Sequence, residues 1–287
     1  SNVLSITQDH LGLIWIGTNS GISMFNPNTE IKTYRKDPLN DKTITDNNIT
    51  ALYGDEEGYL WVGKYNEGVD ILDENMQKIY TLSKNNGLNS NSILDITGNG
   101  DVIYIASREG VQVLDKENKT IEQYKVEDGL PSNVVNKVFY DDAGYLWIGT
   151  GKGLVILDLE KKDILDLKET IEKYSPSDKC IREIYKDSKG EFWIGTCVSG
   201  GLLRINPTNA NVSVYKNIAD DDKSISNDSI KCITEDTNGN IWVGTSLGVN
   251  KFTREDNTFT RYTSEEGLSN DTIHGMLFSD YENLWCS

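Results

Sequence analysis

The sequence predicts an all-β chain built from one repeated four-stranded antiparallel unit and closing as a β-propeller. Three observations carry that reading. Six tryptophans, at positions 15, 61, 147, 193, 242 and 285, lie 46, 86, 46, 49 and 43 residues apart in a chain of 287. The long gap divides in two if Tyr104 stands in for a missing tryptophan, so the period is about 45 residues, the mark of a repeat architecture. Most of these positions also carry the same neighbours, an Asp and a Gly before the aromatic and a Gly-Thr pair after it, and Asn, Pro, Asp and Gly separate the short apolar runs.

Within a unit the first strand has two apolar positions three apart, as in Ile181 and Ile184 or Ile230 and Ile233. It ends at an Asp whose side chain caps an Asp-x-x-Gly turn while the Gly takes a positive φ. The second strand reads Leu/Ile-Trp-Ile/Val-Gly-Thr, and its Gly predicts a place where neighbouring backbone comes too close for a side chain. A short loop and a second Gly open the third strand. Turns such as Asn26-Pro27-Asn28 and Asn206-Pro207-Thr208 lead to a fourth strand that ends in an aromatic, as at Tyr34, Tyr124, Tyr215 and Tyr262. Units of this kind repeated six or seven times close radially. The units run roughly 1–46, 47–90, 91–132, 133–178, 179–227 and 228–270, with a partial seventh over 271–287. The expectation is a single domain of seven blades whose last blade holds only its inner strands, Ile273–Phe278 and Leu284–Ser287, with six blades as the alternative. The seventh unit departs from the pattern, with Glu282 where the turn Gly is expected. The stretch from Asp163 to Tyr174 reads as strand or as a short rim helix.

The Asp-x-x-Gly-x-Leu-Trp-Ile-Gly-Thr-x-x-Gly-Leu pattern resembles the two-component regulator propeller repeat. The links Gly87-Leu88-Asn-Ser-Asn91, Gly129-Leu130-Pro-Ser-Asn133 and Gly267-Leu268-Ser-Asn270 look like that family's Gly-Leu-x-x-Asn connection. The resemblance implies the extracytoplasmic sensor region, periplasmic or at the cell surface, of a bacterial membrane-bound signalling protein such as a hybrid histidine kinase. It implies a non-catalytic module needing no cofactor, cut from a longer chain whose missing segments hold the membrane anchor and the output domain.

Charge excludes other classes. With 28 Lys+Arg against 45 Asp+Glu the net charge is −17, which argues against nucleic acid as a partner. No apolar run reaches the roughly 18 residues a spanning helix needs. Two histidines, His10 in the first turn and His274, leave little for acid–base or zinc chemistry, and no nucleophile elbow or carboxylate pair stands out. The turn Asp residues resemble calcium ligands, but turn capping accounts for them and no metal site is predicted.

Ligands of propellers enter where the links and the loops between second and third strands meet around the axis. Candidate ligand-binding residues there are Tyr65, Arg108, Lys137, Lys152, Arg182, Lys231 and His274. Cations gather in units four to seven against the acidic background, which suits a small anionic or polyhydroxylated ligand, for instance an acidic oligosaccharide. The competing explanation is that polar residues solvate the axis and pair locally, Arg182 with Glu183 for example. The recurring tryptophans read as core between blades and not as sugar platforms. If the Asp187-x-x-Gly190 turn pairs its ends, facing residues across the fifth unit's first two strands have numbers summing to 377. Cys180 and Cys197 meet that condition, and a disulfide, reduced thiols or a metal site each remain open. Two rival functions stand beside the sensor: a polysaccharide or lactone lyase, and a scaffolding propeller that forms homodimers.

Overall fold

The computed structural model describes residues 2–26, 31–167, 173, 178–209, 211–279 and 283–287. Pro27 and Asn28 of the first turn, Glu282, and most of the stretch after Asp166 that reads as strand or helix lie outside the described residues. The Asp163–Asp166 part of that stretch is a strand.

The strands run β1 to β4 (Val3–Gln8, Ile14–Thr18, Gly21–Phe25, Lys32–Tyr34), β5 to β8 (Ile49–Gly54, Leu60–Lys64, Val69–Leu72, Lys78–Leu82) and β9 to β12 (Ile93–Asn99, Val102–Ser107, Gly110–Asp115, Thr120–Tyr124). They continue as β13 to β16 (Val135–Asp141, Tyr145–Thr150, Gly153–Asp158, Asp163–Asp166) and β17 to β20 (Ile181–Lys186, Phe192–Thr196, Leu202–Asn206, Asn211–Tyr215). The last are β21 to β24 (Ile230–Glu235, Ile241–Thr245, Gly248–Thr253, Thr258–Tyr262) and β25 and β26 (Met276–Phe278, Leu284–Cys286). Among the described residues these make six four-stranded sheets, each ordered as the chain runs, and one two-stranded sheet. The expected seventh blade is therefore replaced by a two-stranded ribbon, and six blades is the observed count. The ribbon's first strand is also shorter than expected, because Ile273, His274 and Gly275 precede it. Contacts divide the chain into two compact units, Ser1–Tyr140 and Asp141–Ser287.

The repeated residues have repeated jobs. In five turns the Asp carboxylate caps the backbone with one oxygen and holds the tryptophan indole with the other. Asp55 Oδ1 accepts from the Glu57 and Tyr59 amides while Oδ2 accepts from Trp61 Nε1 at 2.9 Å. Asp9, Asp141, Asp187 and Asp236 hold Trp15, Trp147, Trp193 and Trp242 in the same way. This lets a large aromatic be buried without orphaning its N–H. In the ribbon Ser279 replaces the Asp, and Trp285 Nε1 reaches its hydroxyl at 3.3 Å.

Core lies between successive sheets. Trp15, Ile22, Ile49, Leu52, Leu60 and Val62 form one such layer in the first unit, and Trp193, Ile230, Ile233, Val243 and Phe252 another in the second. The second-strand glycines stand at close approaches, and what they meet is a side chain, not the backbone the sequence suggested. A Cβ on Gly63, Gly149, Gly195 or Gly244 would lie 2.6–2.8 Å from Cγ2 of the isoleucine opening the next sheet, namely Ile93, Ile181, Ile230 and Ile273.

The links are knots. The Asn91 side chain accepts the Lys84 amide while its carbonyl accepts the Gly68 amide, and Asn133 does the same for Val126 and Gly110. In the third link the residue with this job is Asp271, one beyond the Asn270 that the motif suggested, accepting from Ser264 and Gly248.

One position breaks the pattern inside the core. Where the other sheets have Thr18, Ser107, Thr150, Thr196 and Thr245, the second has Lys64. Its Nζ makes a short ion contact, 2.6 Å, with Asp70 Oδ1, and both side chains are fully buried. Asp70 also accepts from Thr45 and Thr81. Burial pulls the Lys64 ammonium down to about 8 although Asp70 opposes the shift. Below that pH both folded and unfolded chains hold the proton; from about 8 to the unperturbed 10.5 the unfolded chain holds it more tightly, so stability should rise with pH across that window. Urea titrations from pH 7.5 to 10 check this against the Lys64→Thr/Asp70→Asn double variant. The parent should gain stability relative to the variant as pH rises; parallel curves would remove Lys64 as the cause.

Candidate functional site

The first two strands of a sheet meet in a tight turn at one end and in a β-bulge at the other. Register shifts leave Leu4, Thr50 and Leu94 unpaired in the first unit, and Arg182 and Lys231 in the second. A bulge inserts one residue and re-aims its side chain. His274 follows Ile273 as Arg182 follows Ile181 and Lys231 follows Ile230. Three of the candidate ligand residues therefore occupy one recurring position at the link end of their sheets, a place where the first unit has two leucines and a threonine.

Their electrostatics join them. Burial first, then the Arg182 charge, lowers the Lys231 ammonium below its ordinary range. His274 is lowered by burial and then by Lys231 and Arg182, so its neutral form dominates at pH 7 in the absence of an anion. Glu183 Oε1 accepts the Ile184 amide at 3.0 Å.

The remaining candidates fall elsewhere. In the first unit Arg108 Nη2 donates to Tyr65 Oη at 3.2 Å, and its guanidinium carbon lies 5.4 Å from the Tyr65 ring centroid. Lys137 Nζ lies 3.5 Å from Asp95 Oδ2, which also accepts the Val138 amide at 3.1 Å. Burial raises the Asp95 carboxyl despite Lys137 beside it. The Lys137 charge is thus matched by a carboxylate from the preceding sheet. Lys152 is exposed, with its amide held by Thr150 Oγ1.

A disulfide joins Cys180 to Cys197, with Cα atoms 5.4 Å apart, and ties the start of β17 to the loop after β18. Asp178 Oδ2 accepts the Val198 and Ser199 amides of that loop, and Ser229 Oγ donates to the Cys197 carbonyl at 2.6 Å. Val198 and Leu247, in the loops after β18 and β22, are 70% and 51% exposed. Sequence reasoning missed them because an exposed apolar residue in a loop has no periodic signature. Among the described residues no cluster of His, Cys, Asp and Glu suits a metal ion, and no helix is long and apolar enough to cross a membrane.

Comparison with known proteins follows from this geometry. The family model described as two component regulator propeller matches residues 1–20, 43–63, 129–152 and 224–246, segments that hold second strands and the links or first strands before them. The chain is 27% identical over 286 residues to Histidine kinase P4 of Formosa agariphila, covering 96% of this chain and 20% of that protein. In structure it is similar to the extracellular domain of BT3049 from B. thetaiotaomicron, a protein assigned as a hybrid two component system. The TM-score is 0.81 at 24% identity, covering all of this chain and 39% of the other. The same fold occurs in virginiamycin B lyase from Staphylococcus aureus, with a TM-score of 0.74 at 17% identity over 98% of this chain and 90% of the lyase. The chain thus spans about a fifth of the kinase and well under half of the extracellular domain. With six four-stranded sheets, five of them marked by the Asp–Trp pair, the chain is a β-propeller, and its matched segments are similar to the two-component regulator propeller repeat.

Proposed function

We propose that this chain is a non-catalytic sensor module of a membrane-anchored two-component receptor, lying outside the cytoplasm, and that it binds a small anionic or acidic oligosaccharide ligand through Arg182, Lys231 and His274. The observation that carries this reading is the placement of Arg182 and Lys231 at the same bulge position of successive sheets, with His274 following Ile273 as they follow their own isoleucines, in a chain of net charge −17. Like charges gathered together cost free energy, and a bound anion offsets that cost. The relatives are a histidine kinase and an extracellular domain of a two component system, which favours sensing over turnover.

In this reading the anion accepts hydrogen bonds from Arg182 and Lys231, and its charge favours protonation of His274. Binding then takes up a proton and tightens as pH falls from 7 towards 5.5. In the receptor, the ligand shifts a two-state equilibrium by no more than its differential affinity for the two states. The test is a thermal-shift screen of uronic-acid oligosaccharides and small organic acids, followed by calorimetry on hits. The Arg182→Ala/Lys231→Ala variant should lose about tenfold or more in affinity, the weight of one or two charge-assisted hydrogen bonds. Unchanged affinity in that variant, or turnover of the bound compound, would sink the proposal; turnover would favour the lyase alternative.

A further inference from the structure

At the turn end of the sheets, the Asp that holds each tryptophan has a second partner in two places, and that partner is a cation from the following sheet. Arg254 Nη2 meets Asp187 Oδ2 at 2.5 Å, Arg254 Nη1 meets Glu191 at 2.7 Å, and the guanidinium lies 5.7 Å from the Trp193 ring centroid. Lys116 Nζ meets Asp55 Oδ2 at 3.3 Å and Glu57 Oε1 at 2.9 Å. The two cations occupy one register position. Each stands three residues beyond the third-strand residue paired with its own sheet's aromatic, Lys251 with Trp242 and Val113 with Tyr104.

In the second sheet Ile71 pairs with Trp61, so this position is Glu74; in the fifth, Arg204 pairs with Trp193, so it is Pro207. The fourth sheet, where Ile156 pairs with Trp147, has Leu159 there. At Glu74 and Pro207 a cleft opens against the preceding sheet. One, of about 530 Å³, lies over Asp141 and Trp147, where Phe192 stacks on the indole at 3.8 Å and Lys161 and Lys186 already stand on the rim. The other, of about 520 Å³, lies over Asp9 and Trp15 in the first unit and is also lined by His10, Asp73, Glu74 and Met76, with no Lys or Arg among the described residues of its lining. Asp9 Oδ1 accepts the Leu11 and Leu13 amides and Oδ2 accepts Trp15 Nε1 at 2.7 Å. Among the described residues Oδ2 thus has one donor, where Asp55 and Asp187 have two.

We propose that this cleft receives an alkylguanidinium or alkylammonium group from outside the chain, donating to Asp9 Oδ2 and Glu74 as Arg254 donates to Asp187 and Glu191. A carboxylate at the position that elsewhere supplies the cation leaves that position without one and supplies a second acceptor for an external group. Charge-assisted pairing of a planar guanidinium with two carboxylates is the geometry this arrangement suits best.

Calorimetry on the intact chain tests it with three probes: agmatine, a blocked Gly-Arg-Gly peptide, and the same peptide with neutral citrulline in place of arginine. The arginine peptide should bind and the citrulline peptide should not. Agmatine binding as tightly as the peptide identifies the cationic group alone as the ligand; agmatine binding more weakly points to a polypeptide segment. Glu74→Gln should weaken the arginine peptide about tenfold, the loss of one charge-assisted contact. Glu74→Arg, which supplies the missing cation from within, should abolish binding and raise the midpoint of thermal unfolding. Equal binding of both peptides, binding of neither at millimolar concentration, or retained binding in Glu74→Arg would overturn the proposal. Arg182→Ala/Lys231→Ala should leave this binding unchanged, which separates it from the anion site.

Discussion

Gly195→Val is expected to destabilise the protein by about 3 kcal/mol, the upper part of the range for overpacking a dense core. Even the first atom of the new side chain would lie 2.6 Å from Ile230 Cγ2 and 2.8 Å from Ile230 Cβ. Gly195 and Ile230 are both in strands, and Ile230 is fully buried, so neither wall can move without parting two sheets. Gly190→Ala is the matching control. That turn glycine has φ +79° with nothing within 4 Å of a Cβ, so its replacement should cost only the left-handed backbone penalty of about 1–2 kcal/mol. Urea denaturation of both variants separates packing from backbone strain, and equal losses would refute the inter-sheet account.

Asp187→Ala should be worse, by about 3–5 kcal/mol, because it strips partners from several buried groups at once. Its two oxygens accept from the Lys189 and Glu191 amides, from Trp193 Nε1 at 2.8 Å, and from Arg254. Removing the carboxylate leaves an indole N–H unsatisfied on a fully buried ring and a guanidinium with Glu191 as its remaining carboxylate partner. Asp187→Asn, which keeps an acceptor for the turn amides, should recover part of the loss. The pH dependence has a defined sign. Burial alone would raise the Asp187 carboxyl, but the hydrogen bonds from Trp193 and Arg254 outweigh it and hold the carboxyl below its usual range. Its contribution is therefore fully present above the unfolded carboxylate range and is lost as pH falls through the lower folded value. The parent should lose more stability than Asp187→Asn on acidification below about pH 4; identical acid transitions would show that the carboxylate charge does not matter there.

Much of this was legible because each signature residue acts locally. Asp, Gly and Trp at fixed spacing encode a capped turn and a satisfied indole, and their recurrence encodes the sheets. What the spacing could not show was the far end of each sheet. Near the turn, facing residues of β17 and β18 such as Tyr185 and Trp193 sum to 378, and the bulge at Arg182 shifts the sum to 377 by Ile181 and Thr196. The turn arithmetic thus reached Cys180 and Cys197 without seeing the bulge that brings them opposite. Bulges of the same kind set Arg182 and Lys231 out of the ladder, a displacement that a count of alternation does not show. Asp95 was hidden differently: its partner Lys137 lies 42 positions further along the chain, beyond any local rule.

The seven aromatic-bearing turns are not equally fastened, and this grades how readily parts of the chain open. Five tryptophans are moored by carboxylates, two of which also bind a cation from the next sheet, while Trp285 Nε1 donates to a hydroxyl at 3.3 Å and lies in a two-stranded ribbon. Local opening free energy follows the number of buried contacts and hydrogen bonds that must break together. Fraying should therefore begin at β25 and β26 and advance towards the sheet held by Arg254, where one guanidinium spans two sheets and two carboxylates. The molecule carries its own gradient of cooperativity, loosest beside His274 and tightest around Trp193.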